Sequence, residues 1–184
     1  MGESSAEGGS ASGGKDSPLH RIAFFVNRTK KLRRKNSLRL EHFDYSTPRA
    51  YFITICSHEG KQVFSDKKLA EAVIKCLKEN KAKANFKIYI YCLMPDHLHI
   101  LLNPGDSNMP VPRFIQTFKS QTGFWYKKQH GTPLWQRGFY DHIVRKNESL
   151  IKIAQYILDN PVRKKLVEQT EHYPFSEMID EIEM

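Results

Sequence analysis

Two apolar runs separated by only two residues constrain the fold of this chain more than any other feature. They are residues 86–94 (FKIYIYCLM) and 97–103 (HLHILLN). Both are rich in aromatic and β-branched residues, which favour strands, and the intervening Pro95-Asp96 interrupts them as a turn would. The two runs therefore predict an antiparallel hairpin with buried strands.

The segments around this hairpin complete one domain. Residues 50–56 (AYFITIC) predict another buried strand, and residues 133–146 predict a loop leading into a strand. Apolar residues at helical spacing predict helices over 66–82, 111–128 and 148–160. The order β-α-β-β-α-β-α predicts an α+β fold, a ferredoxin-like antiparallel sheet with helices on one face. The 184 residues suit one domain with tails and exclude a TIM barrel.

Several classes of protein are excluded by what the chain lacks. Its cysteines, Cys56, Cys76 and Cys92, show no C-x-x-C spacing, which indicates reduced thiols rather than a disulfide framework or a zinc site. No apolar run reaches the roughly 18 residues of a membrane span. The Ser/Gly-rich start lacks the apolar stretch of a secretory signal. We therefore expect a soluble cytoplasmic protein with no membrane partner.

The positive charge is concentrated in two blocks. The chain has a formal net charge of +9, yet residues 21–39 carry +8 without a single acid and residues 112–166 carry another +8. Residues 40–111 carry +1 and residues 167–184 carry −6. Clustered Lys and Arg favour a polyanion such as nucleic acid, with a solubilising surface as the alternative.

This partition predicts four segments. Residues 1–18 are too polar to fold and predict a disordered tail. Residues 19–44 form a basic arm, residues 45–167 the folded domain, and residues 168–184 an acidic tail with weak structural signals. The arm contributes three candidate DNA contacts: Arg33, Arg34 and Lys35.

His97 and His99 are the first candidate functional residues. Residues two apart on a strand point to the same face, so both imidazoles project together while Leu98 and Ile100 face the core. Two imidazoles on one rigid strand can form half of a divalent metal site. The alternative is a pair of histidines at a sheet surface, one of them bonded to Asp96.

A second candidate is Tyr156, with Lys152 one helical turn before it and Asn160 one turn after it. We expect these residues on the polar side of their helix, opposite its apolar stripe. A phenol is a poor nucleophile unless a cation assists it, and Lys152 could supply that charge. The Asn160 carbonyl oxygen could bind Mg²⁺. The alternative is a surface tyrosine near a helix end.

Basic and aromatic residues between positions 113 and 163 form the third candidate. Aromatic faces interleaved with cations suit single-stranded nucleic acid, although some of the aromatic rings could belong to the core. We expect this block to form a groove that holds a strand against Tyr156. Its members are Arg113, Lys119, Lys127, Lys128, Trp135, Arg137, Tyr140, His142, Arg145 and Arg163.

Together these segments resemble a known family. The segment 91–102 (YCLMPDHLHILL) resembles the histidine-hydrophobe-histidine motif of tyrosine HUH single-strand transposases. Segments 135–145 (WQRGFYDHIVR) and 156–167 (YILDNPVRKKLV) resemble the REP-associated tyrosine transposases in particular. Segments 50–56 and 114–120 are similar to that family's opening strand and middle helix.

The resemblance implies a role for each motif. It implies that His97 and His99 bind Mg²⁺ or Mn²⁺, and that Tyr156, on a separate C-terminal helix, is the nucleophile. Asn160 falls where related transposases carry a glutamine that completes the metal site. The implied activity is cleavage and rejoining of single-stranded or hairpin DNA through a 5′-phosphotyrosine, in the nucleoid of a prokaryote. Whether the protein acts as a monomer or a dimer stays open.

Other functions remain as alternatives. A domesticated hairpin-binding protein could keep the fold and lack turnover. A histidine-triad nucleotide hydrolase needs a third alternating histidine, but position 101 is leucine. A replication-initiation or relaxase nickase would use the same histidine and tyrosine chemistry. The resemblance of segment 135–145 to the REP-associated transposases argues against that alternative.

Overall fold

The computed structural model describes residues 49–145 and 149–182. The predicted tail 1–18 and basic arm 19–44, with Arg33, Arg34 and Lys35, lie outside the described residues.

The predicted hairpin forms the centre of an antiparallel sheet. Strand β2 (Lys87–Met94) turns at Pro95-Asp96 into β3 (His97–Asn103), and β3 pairs on its other side with β1 (Tyr51–Cys56). Strand β4 (Tyr140–Ile143) extends the sheet beyond β1. Strand β5 (Ser176–Met178) extends it beyond β2, so the described strands have the order β4-β1-β3-β2-β5. The first four follow the ferredoxin-like β-α-β-β-α-β pattern, as predicted.

Two long helices cover one face of this sheet. Helix α1 (Lys67–Ala84) begins where the Asp66 carboxylate accepts a hydrogen bond from Leu69 N at 3.0 Å, a standard N-cap. Helix α2 (Val111–His130) ends at Gly131, whose φ of 73° suits glycine. Their apolar faces meet the sheet in one core, which includes Ile53, Ile55, Leu77, Leu98, Ile100, Leu102, Phe114 and Phe118.

A second, smaller core lies on the opposite face of the sheet. Helix α3 (Leu150–Leu158) packs there, followed at once by the short helix α4 (Asn160–Arg163). The separate helix that carries the tyrosine thus lies across the sheet from α1 and α2. The central strands are consequently apolar on both faces, which explains why their sequences read as continuous hydrophobic runs. Members of this core include Phe52, Ile90, Cys92, Leu101, Ile153 and Ile157.

The segment predicted to be an acidic tail instead contributes β5 to the sheet. Glu177 lies 2.6 Å from the Lys78 ammonium of α1 and accepts a hydrogen bond from the Tyr91 hydroxyl at 2.9 Å. Asp180 lies 2.9 Å from the Lys81 ammonium and accepts a hydrogen bond from the Ile88 N–H. These acids therefore neutralise lysines of α1. This strand was not predicted, because its three residues are too few to show a recognisable alternation of apolar and polar side chains.

Two sequence-based exclusions concern the described residues directly. None of the helices in residues 49–145 and 149–182 is long and apolar enough to cross a membrane. Cys56 and Cys92 are buried free thiols, and Cys76 is a partly buried one, as expected for reduced cysteines.

Candidate active site

The two histidines of β3 converge on the face of the sheet that α3 covers. Strand alternation turns His97 and His99 to this face while Leu98 and Ile100 enter the opposite core, as predicted. The Nε2 atoms of the two imidazoles lie 3.0 Å apart. His97 is 8% exposed and His99 is fully buried. The pair is therefore a built feature of the sheet rather than two loose surface side chains.

The other nitrogen of each imidazole has its own partner. Nδ1 of His97 lies 2.5 Å from the Asp96 carboxylate, and Nδ1 of His99 lies 2.9 Å from the Thr54 hydroxyl. When each Nδ1 carries the proton for its partner, both Nε2 atoms present lone pairs to the same point. At 3.0 Å one Nε2 donates a hydrogen bond to the other when it carries a proton, and a cation held by both nitrogens would take the place of that proton. Carboxylate and hydroxyl partners behind metal-binding histidines are a common arrangement, so these residues fit a divalent cation.

Burial keeps His99 in the form that binds metals. Removal from water lowers the pKa of His99 well below the ordinary range of an imidazole, and the neighbouring His97 acts in the same direction. A neutral imidazole is the metal-binding form, because a protonated nitrogen has no lone pair to donate.

The two imidazoles supply only part of the coordination of a divalent cation, so its remaining ligands would have to come from other groups. Within the part of the chain that the structure describes, no group of three or more His, Cys, Asp or Glu side chains is arranged to hold a metal ion. The Asn160 amide, 2% exposed at the start of α4, donates a hydrogen bond from Nδ2 to the Tyr156 carbonyl at 3.4 Å. That bond leaves the amide oxygen as the donor atom with which Asn160 could bind a cation.

Tyr156 faces the sheet, which corrects the prediction that it lies on the polar side of its helix. Its side chain is 7% exposed and packs in the second core with Ile153 and Ile157. The phenol ring meets Phe52 edge-on at 6.4 Å between centroids, and the Phe52 ring lies 5.2 Å from that of His99. The prediction failed because the sheet covers a wider arc of α3 than the narrow apolar stripe used to orient it.

The cation beside Tyr156 is Arg163 rather than Lys152. The Arg163 guanidinium carbon lies 3.8 Å from the centroid of the phenol ring, and Nη2 donates a hydrogen bond to the Tyr156 carbonyl at 3.0 Å. Lys152 is exposed on the outer surface of α3. Burial raises the pKa of Tyr156 above that of a free phenol, while the charge of Arg163 acts in the opposite direction.

A short interruption separates α3 from α4. Pro161 has no N–H with which to continue the hydrogen bonding of α3, so the helix ends at Leu158 and α4 starts again at Asn160. Arg163, at the end of α4, contacts both the ring and the carbonyl of Tyr156. The segment DNPVR therefore forms one structural unit with the tyrosine.

Several predicted DNA contacts line a groove on the other side of the sheet. The groove, about 740 Å³ in volume, runs along α2 and the segment 133–139. Its cationic lining residues are Arg113, Lys119, Lys127 and Arg137, and none of its lining residues is acidic. Because α2 covers the face opposite the histidines, the prediction of one groove that holds a strand against Tyr156 was wrong for these residues.

Two groove residues have structural contacts that the sequence did not suggest. Trp135 is 7% exposed, donates a hydrogen bond to the Thr122 hydroxyl at 2.8 Å and packs against Phe64 and Phe118. Its ring is therefore core rather than an open stacking surface. The Lys119 ammonium donates hydrogen bonds to main-chain carbonyls of the 133–139 segment, which it ties to α2.

Four other predicted DNA contacts are not among the residues that line this groove. In the register of β1 and β4, Tyr140 pairs with Thr54 and His142 with Phe52, so both point to the side of His99. Arg145 is exposed just beyond β4, and Lys128 is exposed near the end of α2. The predicted set is thus divided between the two faces.

Sequence reasoning missed two residues that support the site. Thr54 holds His99 across the β1–β3 ladder, a register that the sequence alone does not reveal. Tyr173, just before β5, is buried in the second core and donates a hydrogen bond to the Leu93 carbonyl at 2.7 Å. Burial raises the pKa of Tyr173, so its hydroxyl stays protonated and serves as a structural donor.

Comparisons with known proteins identify the family of this chain. A family model of IS200-like transposases matches residues 47–160, which include both histidines and Tyr156. A Haemophilus influenzae protein described only as uncharacterised is 27% identical over 160 residues, covering 70% of this chain and 88% of its own. The REP-associated tyrosine transposase of Escherichia coli K12 is 28% identical over 110 residues, or 59% of this chain, and the aligned part spans 61% of that protein.

A solved structure supports the fold independently. The structure of a REP-associated tyrosine transposase bound to a REP hairpin superposes with a TM-score of 0.61. The two chains are 19% identical, and the match covers 77% of this chain and 81% of the other. Since the family model spans more than half of the chain and the fold agrees, this protein belongs to the IS200-like transposase family.

Proposed function

We propose that this protein cleaves and rejoins single-stranded DNA at hairpin sequences, with Tyr156 as the nucleophile and a divalent cation held by His97 and His99. The observation that carries the proposal is the convergence of the two Nε2 atoms at 3.0 Å, on the face of the sheet against which Tyr156 packs. Membership of a transposase family and relatives named REP-associated tyrosine transposases support the same activity.

The proposed step is a transfer of a phosphodiester bond to the tyrosine. The Tyr156 oxygen forms a bond to phosphorus as the bond between phosphorus and the 3′ oxygen breaks. The phenol loses one proton and the departing oxygen gains one, so the products are a free 3′-OH and a 5′-phosphotyrosine. No water is consumed, and another 3′-OH can reverse the step and join a new strand.

The residues of the site would have different roles in this step. A cation such as Mg²⁺ or Mn²⁺ on the two Nε2 atoms would supply positive charge for the scissile phosphate. Asp96 and Thr54 hold the imidazoles with Nε2 directed at that point. The packing of α3 on the sheet excludes water around Tyr156, which favours transfer to DNA over hydrolysis.

Hairpin DNA is the substrate that the named relatives suggest. The solved relative is described as bound to a REP hairpin, and the groove along α2 offers this chain a cationic surface for a phosphate backbone. Tyr140 and His142 offer polar and aromatic contacts on the histidine face.

A covalent adduct tests the proposal directly. The protein would be incubated with Mn²⁺ and synthetic single-stranded oligonucleotides, each carrying one inverted repeat from the DNA beside its own gene. We expect a denaturation-resistant adduct whose mass places the DNA on Tyr156, and Tyr156→Phe should abolish it. Tyr91→Phe is a matched control, because it removes a partly buried hydroxyl that contacts Glu177 away from the histidines.

Two results would count against the proposal. An adduct that survives Tyr156→Phe would exclude Tyr156 as the nucleophile. Tight hairpin binding without an adduct in Mn²⁺ or Mg²⁺ would favour the alternative of a hairpin-binding protein without turnover.

A further inference from the structure

The contact between Arg163 and Tyr156 has a geometry that packing alone does not require. The guanidinium carbon lies 3.8 Å from the centroid of the phenol ring, and Nη2 donates a hydrogen bond to the main-chain carbonyl of Tyr156 at 3.0 Å. One side chain therefore restrains both the ring and the backbone of Tyr156. A cation held over the face of a ring in this way favours one orientation of that ring.

Arg163 also lies on the side of the site from which a DNA phosphate would approach. Its residue is exposed while the ring that it covers is buried, so the guanidinium lies at the solvent side of Tyr156. A guanidinium has five N–H donors, so the bond to the carbonyl leaves others for a phosphate oxygen.

We propose that Arg163 is the positioning residue that holds Tyr156 for attack on the scissile phosphate, a role that rests on the proposed transfer reaction. Lys152, one turn before Tyr156, lies on the outer surface of α3 and is not expected to act in this way.

Single-turnover adduct formation separates this role from simple DNA binding. We expect Arg163→Ala to slow adduct formation on a cleavable hairpin at least tenfold, since small misplacements of reacting groups cost up to about a hundredfold. The Kd for the same hairpin should change by less than about threefold, the effect of one lost exposed phosphate contact. Lys164→Ala is the matched control, because it removes the same charge from the adjacent exposed residue.

Chemical rescue separates positioning from a merely structural role. Millimolar guanidinium should restore part of the rate to Arg163→Ala but none to Tyr156→Phe. Arg163→Lys keeps the charge without the planar guanidinium and should give an intermediate rate. It also preserves the test if the alanine variant fails to fold. Equal rates for the Arg163 and Lys164 variants, loss of affinity without loss of rate, or a slow variant that guanidinium does not rescue would each overturn the proposal.

A measurement without DNA distinguishes failure of this inference from failure of the transposase reaction. Nitration of Tyr156 by tetranitromethane, followed by mass spectrometry, reports how firmly the ring is held. We expect faster nitration of Tyr156 in Arg163→Ala than in wild type or Lys164→Ala. If wild type forms no adduct but this difference appears, the transfer reaction fails and the Arg163 contact stands. An unchanged nitration rate would refute the contact itself.

Discussion

Thr54 and His99 are partners across the β1–β3 ladder, and the Thr54 hydroxyl lies 2.9 Å from Nδ1 of His99. The bond occupies one imidazole nitrogen and directs the other toward His97. Such supporting partners typically change metal affinity by 10- to 100-fold. Removal of the hydroxyl should therefore weaken metal binding while the histidines remain.

We expect Thr54→Val to lower Mn²⁺ affinity about tenfold with little change in shape, because valine and threonine have similar volumes. Titration calorimetry with Mn²⁺ measures the effect. Thr54→Ser keeps a hydroxyl and should retain most of the affinity. Equal affinity for the valine and wild-type proteins would mean that Thr54 does not support a metal-binding His99.

The double substitution His97→Ala with His99→Ala should retain hairpin binding and lose adduct formation. In the proposed reaction the histidines act on the scissile phosphate, and they lie on the face of the sheet opposite the cationic groove along α2. Gel-shift titration and the adduct assay on the same oligonucleotide measure the two properties. Cleavage at the wild-type rate would make the histidine pair structural.

Protonation of His99 should occur at unusually low pH. Burial lowers its pKa in the folded protein, so the unfolded chain binds more protons than the folded one below about pH 6.5. The buried, neutral His99 therefore costs no stability above that pH, and the free energy of unfolding declines as the pH falls below it. Two-dimensional NMR of the metal-free protein should show a His99 imidazole that stays neutral at about pH 6. A normal titration curve there would contradict the buried environment.

Cationic residues of the α2 groove should govern the salt dependence of DNA binding. Each phosphate contact contributes about −0.9 to the slope of log K against log salt on duplex and about −0.7 on single strands. Arg113→Gln, Lys127→Gln and Arg137→Gln should each flatten the slope by roughly one contact. Lys67→Gln on α1, outside the groove, provides the control. Unchanged slopes for all three would exclude the groove as a DNA surface.

The bonds of Asp180 should contribute measurably to folding. Its carboxylate accepts a hydrogen bond from Ile88 N–H and lies 2.9 Å from the Lys81 ammonium, with both side chains largely shielded from solvent. Asp180→Ala should lower the free energy of unfolding by about 1–2 kcal/mol, measured by urea denaturation. Glu71→Ala, which breaks the exposed pair with Lys67, should cost less than about 0.5 kcal/mol. Equal costs would mean that the bonds of Asp180 contribute no more to folding than an exposed ion pair does.

Elements with long, regular patterns were predictable from the sequence. The hairpin 86–103 and the helix over 111–128 carry enough apolar residues at a consistent period to identify their type and nearly their ends. The common face of His97 and His99 followed from strand alternation, which depends on backbone geometry alone.

Features that depend on contacts between distant segments were not predictable in this way. The orientation of Tyr156 depends on how much of α3 the sheet covers, and the partner of its ring comes from beyond a helix break. The β5 strand depends on Tyr173 and Phe175 packing against the second core, contacts that no local period encodes. Thr54 was assigned to a strand, but its register against His99 is a tertiary property.

The division of the sheet into two working faces sets a minimum size for a complete substrate. The cationic groove lies beside α2, whereas the histidines and Tyr156 lie on the face that α3 covers. A nucleic acid that engages both has to pass around an edge of the sheet, and the β4 edge carries Tyr140, His142 and the nearby Arg145. Under the proposed function, an oligonucleotide trimmed to the cleaved nucleotides alone would reach Tyr156 without contacting the groove, so the shortest DNA that is cut efficiently should be longer than the segment that touches Tyr156 and the histidines.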